Sequence, residues 1–398
     1  MMTRQNLLYS LLIFVLVTTV GCNSTTVRST EREKITLQPV QIPEELLLDV
    51  GIGIFKPGVD AISSGEPGVY PKIREAEARF MPYMLMDTMQ KSGSWGTVRV
   101  IPQRQSEMDL WVDAEILRSD GENLQLMVKV QDSSGKTWYT KKYSDVASKY
   151  SYDTSLPNRT EPFQALYNQI SNDMLVHYRQ LDPVQVKNIR IITELKFAKE
   201  FSADAFSDHL GIDKNGRYFV ARLPADDDPI LLRVKQIRER DYMFVDTLQE
   251  YYGSFVRQME VPYLEWRRAF YEENQALQEV KSQSRNRVIG GALAVLAGIL
   301  AQGVDSRTAR TAGAVGIGAG IGAVMSGLNK GEEAKVHAEA LEEISASMDA
   351  EMQPHTMKLE DRTITLSGSV NEQYGQWRQL LKDIYKAETG QTTSSPQS

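Results

Sequence analysis

The chain has 398 residues, 41% of them hydrophobic and 24% charged, with 45 basic against 52 acidic side chains and a net charge of −7. That is enough apolar material for two or three folded units. The acidic balance argues against nucleic acid, which requires a basic footprint, and a single cysteine excludes an internal disulfide.

Residues 1–21 read as a signal peptide. Arg4 is their only charge, and the apolar run Leu7–Val20 is short for a membrane span. The run ends Thr19-Val20-Gly21-Cys22. This resembles the lipobox of bacterial lipoproteins, although that family prefers Leu where Thr19 stands. The resemblance implies cleavage before Cys22, lipid on its thiol and an acylated new amino terminus. Asn23 follows, where Asp in the enterobacterial pattern marks retention in the inner membrane. The resemblance therefore implies the cell outer membrane, with the body facing the periplasm. Residues 22–45 are a polar tether.

Residues 46–182 read as an α/β domain. Leu46–Phe55 is a strand, Pro71–Lys91 a helix with Ile73, Ala76, Phe80, Met84 and Leu85 on one face, and Thr97–Ile101 a strand. Asp109–Leu117 and Leu124–Val130 alternate across the turn Arg118–Asn123, and Ser133-Ser134-Gly135-Lys136 turns into Thr137–Tyr143. Glu161–Tyr178 is a second helix. The order strand, helix, strand, meander, helix, with Ser106–Ile116 and Asp132–Trp138, resembles the periplasmic domain of curli-export and transport-accessory lipoproteins. The resemblance implies a scaffold or ring-forming unit without catalytic residues.

Residues 183–228 form a connector, in which Thr193–Leu210 reads as a helix and Arg217–Leu223 as a strand. Asp228-Pro229 starts a helical arm, 229–287. Its apolar and aromatic residues, including the run Tyr242–Phe270, keep helical spacing that points to core packing. Pro262 predicts a kink or break. Residues 288–328 are two Gly/Ala-rich segments, Val288–Val304 and Thr311–Leu328, joined by the charged turn Asp305–Arg310. Gly290, Ala294 and Gly298, then Gly313, Gly316, Gly318, Gly320 and Gly322, supply small-xxx-small rows that allow close backbone approach. A return helix, 329–353, completes a helical hairpin with the Gly-rich pair at its tip. Residues 354–388 form a β-hairpin and a closing helix, and 389–398 a disordered tail. The expected fold class is α+β.

Three readings of the Gly-rich pair stay open. It inserts in a membrane, although both segments fall short of about 20 residues; it packs as a dry zipper on its own body or a sister copy; or Gly318-x-Gly320-x-x-Ala323 binds a phosphate, a weak match outside any βαβ unit. The histidines 177, 209, 337 and 355 form no close ligand pair, so no metal site is expected. Asp226-Asp227-Asp228 reads as a turn with Asp228 capping a helix. No nucleophile is signposted, and no cofactor or enzymatic activity is expected. The expected role is a structural or assembly component of an envelope export system, a homo-oligomer or a member of an envelope complex. The alternative is a periplasmic module that binds cell wall or polysaccharide.

Overall fold

A computed structural model of the chain describes residues 32–59, 71–104, 108–153, 161–225, 227–300, 343, 352–359 and 362–389, with 149, 273, 276–300 and 352–364 described at most as backbone. The fold is mixed α/β. Strand β1 (Val50–Gly53) is followed by helix α1 (Pro71–Ser92) and strand β2 (Val98–Ile101). A helix between two strands returns the chain to the same end of the sheet, so β1 and β2 pair in parallel. Strand β3 (Leu110–Ser119) joins the other side of β1, also parallel. Tight turns then make β4 (Asn123–Asp132) and β5 (Thr137–Val146) antiparallel, for a sheet order β2-β1-β3-β4-β5. On β4 every second residue is buried, which puts Leu124, Leu126, Val128 and Val130 on the core face.

Proline in a helix interior frees the carbonyl four residues back. In α1 Pro82 frees that of Ala78, and the amide of Phe55, at the end of the β1 segment, donates to it at 3.0 Å. Helix α2 (Gln164–Tyr178) packs beside α1.

Helix α3 spans Pro183–Phe201 rather than the expected 193–210. Its start carries the signal already read at Asp228-Pro229. Asp182 accepts from the Gln185 amide at 2.8 Å, the Gln185 side chain accepts from the Asp182 amide at 3.0 Å, and Pro183 takes the first turn. After the short helix α4 (Ala203–Phe206), strands β6 (Leu210–Ile212) and β7 (Tyr218–Val220) pair as a hairpin.

Helix α5 runs from Pro229 to Leu300. Asp228 caps it, accepting from the amides of Ile230 and Leu231. The break expected at Pro262 does not occur. The carbonyl that Pro262 frees belongs to Gln258, an exposed position open to solvent. The first part of α5 is not a free arm: Leu231, Val234, Ile237, Phe244, Leu248, Tyr252, Met259, Tyr263 and Trp266 are core residues. Contacts continue to Asn274 and Gln275, which bond the β3–β4 turn at Asp120 and Glu122. The helical backbone then continues to Leu300, roughly 40 Å further at 1.5 Å per residue.

Strands β8 (Met352–Leu359) and β9 (Arg362–Gly368) form the third sheet. The first strand starts two residues before the expected β-hairpin and includes Pro354, where the register shifts between Met352 and His355. Helix α6 (Val370–Glu388), capped by Ser369 and Glu372, lays Tyr374, Trp377, Leu381 and Tyr385 on the body. The described residues from Lys34 onward share one hydrophobic core to which β1–β5 and helices α1–α3, α5 and α6 all contribute.

Among the described residues, helix α5 seals the β2 edge of the main sheet. Gln249 accepts from the Val100 amide at 2.9 Å and donates to its carbonyl at 2.9 Å, as a neighbouring strand would. Gln249→Leu therefore leaves two peptide groups without partners and should cost about 1–3 kcal/mol in chemical denaturation. A loss within experimental error of zero would mean that water replaces the amide.

Candidate functional site

The residues expected from sequence to make contacts separate into two groups. Gly290 and Gly298 lie on the α5 backbone. Cys22, Gly313, Gly316, Gly318, Gly320 and Gly322, the weak phosphate-loop match and the return helix (343 apart) lie outside the described residues. Among the described residues no helix is long and apolar enough to cross a membrane, and no three His, Cys, Asp or Glu side chains gather to hold a metal ion. His177 is half-buried and stacks on Tyr139 with ring centroids 4.9 Å apart. His209 is buried, its Nδ1 at 2.8 Å from the carbonyl of Arg222. In the aromatic run of α5, Phe244, Tyr252, Phe255, Tyr263, Trp266 and Phe270 are core, as their spacing predicts.

Among the described residues two polar clefts stand out, and sequence reasoning reached neither. The first, about 390 Å³, is walled by Asp49, Asp109, Glu194, Lys235, Arg238 and Tyr242, among others. Asp49 directly precedes β1 and Asp109 directly precedes β3. Since β1 and β3 are parallel neighbours with Val50 opposite Leu110, the two carboxyl groups arrive side by side. Asp109 accepts from the amide of Asp49 at 2.9 Å and lies 2.6 Å from the hydroxyl of Thr193. That hydroxyl is also 3.0 Å from the carbonyl of Ile189. The hydroxyl donates to the Asp109 carboxyl, and the Ile189 carbonyl also accepts from the Ser133 hydroxyl at 2.6 Å. Burial, reinforced by the neighbouring Asp49 carboxylate, raises the Asp109 pKa.

The opposite wall comes from α5. Arg238 holds the Tyr242 hydroxyl through Nε at 2.8 Å and Nη2 at 2.5 Å. The guanidinium of Arg99 lies 4.5 Å from the centre of the Tyr242 ring. Burial pushes the Tyr242 hydroxyl up to about 12, so it stays a neutral phenol. A buried carboxyl, a phenol and a guanidinium form a hydrogen-bonding set. The buried Thr193 presents no accessible nucleophile to this cleft.

The sign of the Asp109 effect follows by linkage. The folded chain keeps this proton to a higher pH than the unfolded chain does. The contribution to stability is therefore greatest at low pH and declines as pH rises from the ordinary carboxylate range through the raised pKa. Asn in place of Asp109 keeps the shape of the side chain and removes its ionisable group. Asp109→Asn should remove this decline, so that its melting temperature relative to wild type rises between about pH 4 and pH 7. A constant difference across that range would show that Asp109 is ionised in the fold.

The second cleft is larger, about 610 Å³, and strongly basic. Helix α3 brings Lys196, Lys199 and Glu200 on its last turns, where cations complement the free carbonyls. Helix α6 brings Gly375, Arg378, Gln379 and Lys382, a stripe at three- and four-residue spacing. Tyr218 of β7 and Arg104, beyond β2, complete it. Glu200 bridges Arg378 at 2.5 Å and Lys382 at 3.0 Å, and the fully buried Asp241 holds Arg378 from behind at 2.8 Å. Arg104 is oriented by the Trp111 ring, 5.1 Å from its centre, and by Gln131 at 2.9 Å. The ammonium of Lys196 lies 5.2 Å from the centre of the Tyr218 ring. Lys199 makes no ion pair among the described residues. Five cations thus line the cleft, and three of them are ion-paired: Arg378 with Glu200 and Asp241, Lys382 with Glu200, and Arg104 with Asp113 at 3.5 Å. The helical spacings were legible in sequence, but nothing local tells that these stripes face each other.

No family model, curated protein or solved structure matches the chain.

Proposed function

We propose that the chain is an outer-membrane lipoprotein, carried on lipid at Cys22, that serves as a structural or assembly component of an envelope export system. In this reading α5 and the return helix form an antiparallel hairpin. Its Gly-rich tip makes a second contact, with a membrane or with sister copies. The observation that carries it is the pairing, in one chain, of Thr19-Val20-Gly21-Cys22 with small-residue rows that begin on α5 at Gly290 and Gly298. That helix leaves a large folded core and enters the Gly-rich segment without interruption. The resemblance to curli-export and transport-accessory lipoproteins points the same way.

Membrane fractionation with a labelled fatty acid, combined with crosslinking, tests this. Wild type should take up label and sediment with the outer membrane. Cys22→Ser should do neither. Gly316, Gly318, Gly320 and Gly322 changed together to Leu should keep the label and lose the crosslinked oligomer or the second membrane contact. Unchanged behaviour in both variants overturns the proposal.

The basic cleft favours a second reading, a periplasmic module that binds cell wall or polysaccharide. Sedimentation of the protein with purified cell-wall sacculi is its test, and a protein that stays in the supernatant overturns it.

A further inference from the structure

We infer that the cleft walled by Asp49, Asp109, Arg238 and Tyr242 binds the zwitterionic head of an α-amino acid. Its volume of about 390 Å³ lies within the range of small-molecule sites. Part of its polar lining is already committed. Lys235 pairs with Glu194 at 3.0 Å, and Arg190 is tied to the backbone carbonyls of Glu44 and Leu47. The buried Asp109 accepts from the Asp49 amide on one oxygen and from the Thr193 hydroxyl on the other. Three groups are held in place and still keep capacity. Asp49 accepts from the Thr97 amide through Oδ1 at 2.7 Å, and its Oδ2 has no partner among the described residues. Tyr242 accepts twice from Arg238, and its own hydroxyl proton has no acceptor among the described residues. Arg238 spends Nε and Nη2 on that hydroxyl and keeps Nη1.

The two signs of charge face one space without meeting. Arg238 feels the field of both Asp49 and Asp109. Among the described residues, however, no carboxylate comes within ion-pair distance of it. A lone anion bound at Arg238 is repelled by Asp49, and a lone cation bound at Asp49 is repelled by Arg238. An α-amino acid carries both charges on neighbouring carbons and adds no net charge. Its ammonium donates to Asp49 Oδ2, and its carboxylate accepts from the Tyr242 hydroxyl and from Arg238 Nη1. Each of these bonds has an ionised partner, the stronger kind. The rest of the lining, Glu44, Arg190, Glu194, Lys235 and Glu239, is polar and suits a polar side chain.

The inference goes beyond both readings above, since it requires neither the lipid nor the Gly-rich tip. The full chain, purified in detergent micelles, is titrated calorimetrically with L-serine and with L-glutamine, each beside its N-acetyl derivative and its methyl ester. Saturable binding of at least one free amino acid is expected. N-acetylation removes the ammonium and esterification removes the carboxylate charge, and each should weaken binding about tenfold or more. Asp49→Asn keeps an oxygen for the Thr97 amide. It should weaken the free amino acid about tenfold and leave the N-acetyl derivative unaffected. Tyr242→Phe should weaken the free amino acid likewise and leave the ester unaffected. Lys142→Glu, a charge change on β5 outside the cleft, should bind as wild type does. The inference is overturned if neither amino acid saturates, or if the derivatives bind as tightly as their parents. It is also overturned if both cleft variants bind normally, or if they weaken all three forms alike, as a merely structural role would.

Discussion

Arg267→Ala should destabilise the fold by about 3–5 kcal/mol, the cost of breaking a buried ion pair from one side. Arg267 and Glu161 are both almost completely buried, and the guanidinium grips the carboxylate with two nitrogens, at 2.5 and 2.9 Å. It also lies 4.0 Å from the centre of the Tyr263 ring. Tyr263 in turn donates at 2.6 Å to the buried Glu77 of α1, which also accepts from Ser119 of β3 at 2.5 Å. One side chain thus joins α5 to the segment that leads into α2 and, through Tyr263, to α1 and the main sheet. Alanine leaves Glu161 as a buried charge without its partner. The double variant Glu161→Leu with Arg267→Met removes both charges at similar volume and should recover most of the loss. Urea denaturation of the three proteins decides it. A double variant no better than Arg267→Ala would mean that packing rather than charge carries the effect.

The same substitution at two hairpin turns should have very different costs. Gly121, in the β3–β4 turn, and Gly135, in the β4–β5 turn, have φ of +77° and +89°. Alanine strains the backbone at either, by about 1–3 kcal/mol. At Gly135 a new Cβ meets nothing within 4 Å, whereas at Gly121 it would sit 2.3 Å from the carbonyl oxygen of Arg267. That oxygen belongs to the backbone of α5, so it yields only if the helix moves. Gly121→Ala should therefore cost about 1–3 kcal/mol more than Gly135→Ala. Equal losses at the two turns would show that α5 does not press on the sheet at this point.

These contacts mark the limit of what sequence reading reaches. The two hairpins, the start of α1 at Pro71, the cap at Asp228 and the closing helix α6 were all legible, because each rests on residues a few positions apart. The start of α3 carried an equally local signal in Asp182, Pro183 and Gln185, which was overlooked. Pro262 does not end helix α5, because the cost of a helical proline depends on where its freed carbonyl faces. Position Gln258 faces water, and only the packed structure shows that.

The sites divide on the same line. By itself the sequence determined the local chemistry: the apolar run that ends before Cys22, the small-residue rows from Gly290 onward, the turn glycines and the helix caps. Each depends on neighbours along the chain or on one helical or strand period. Only the tertiary structure decided that Gln249 completes a sheet edge, that Asp49 and Asp109 meet, and that Lys199 and Lys382 line one cleft. Those outcomes depend on parallel register and on which helix faces pack together. Both are set by burying many apolar side chains at once, an energy shared over the whole core and written in no single stretch of the chain.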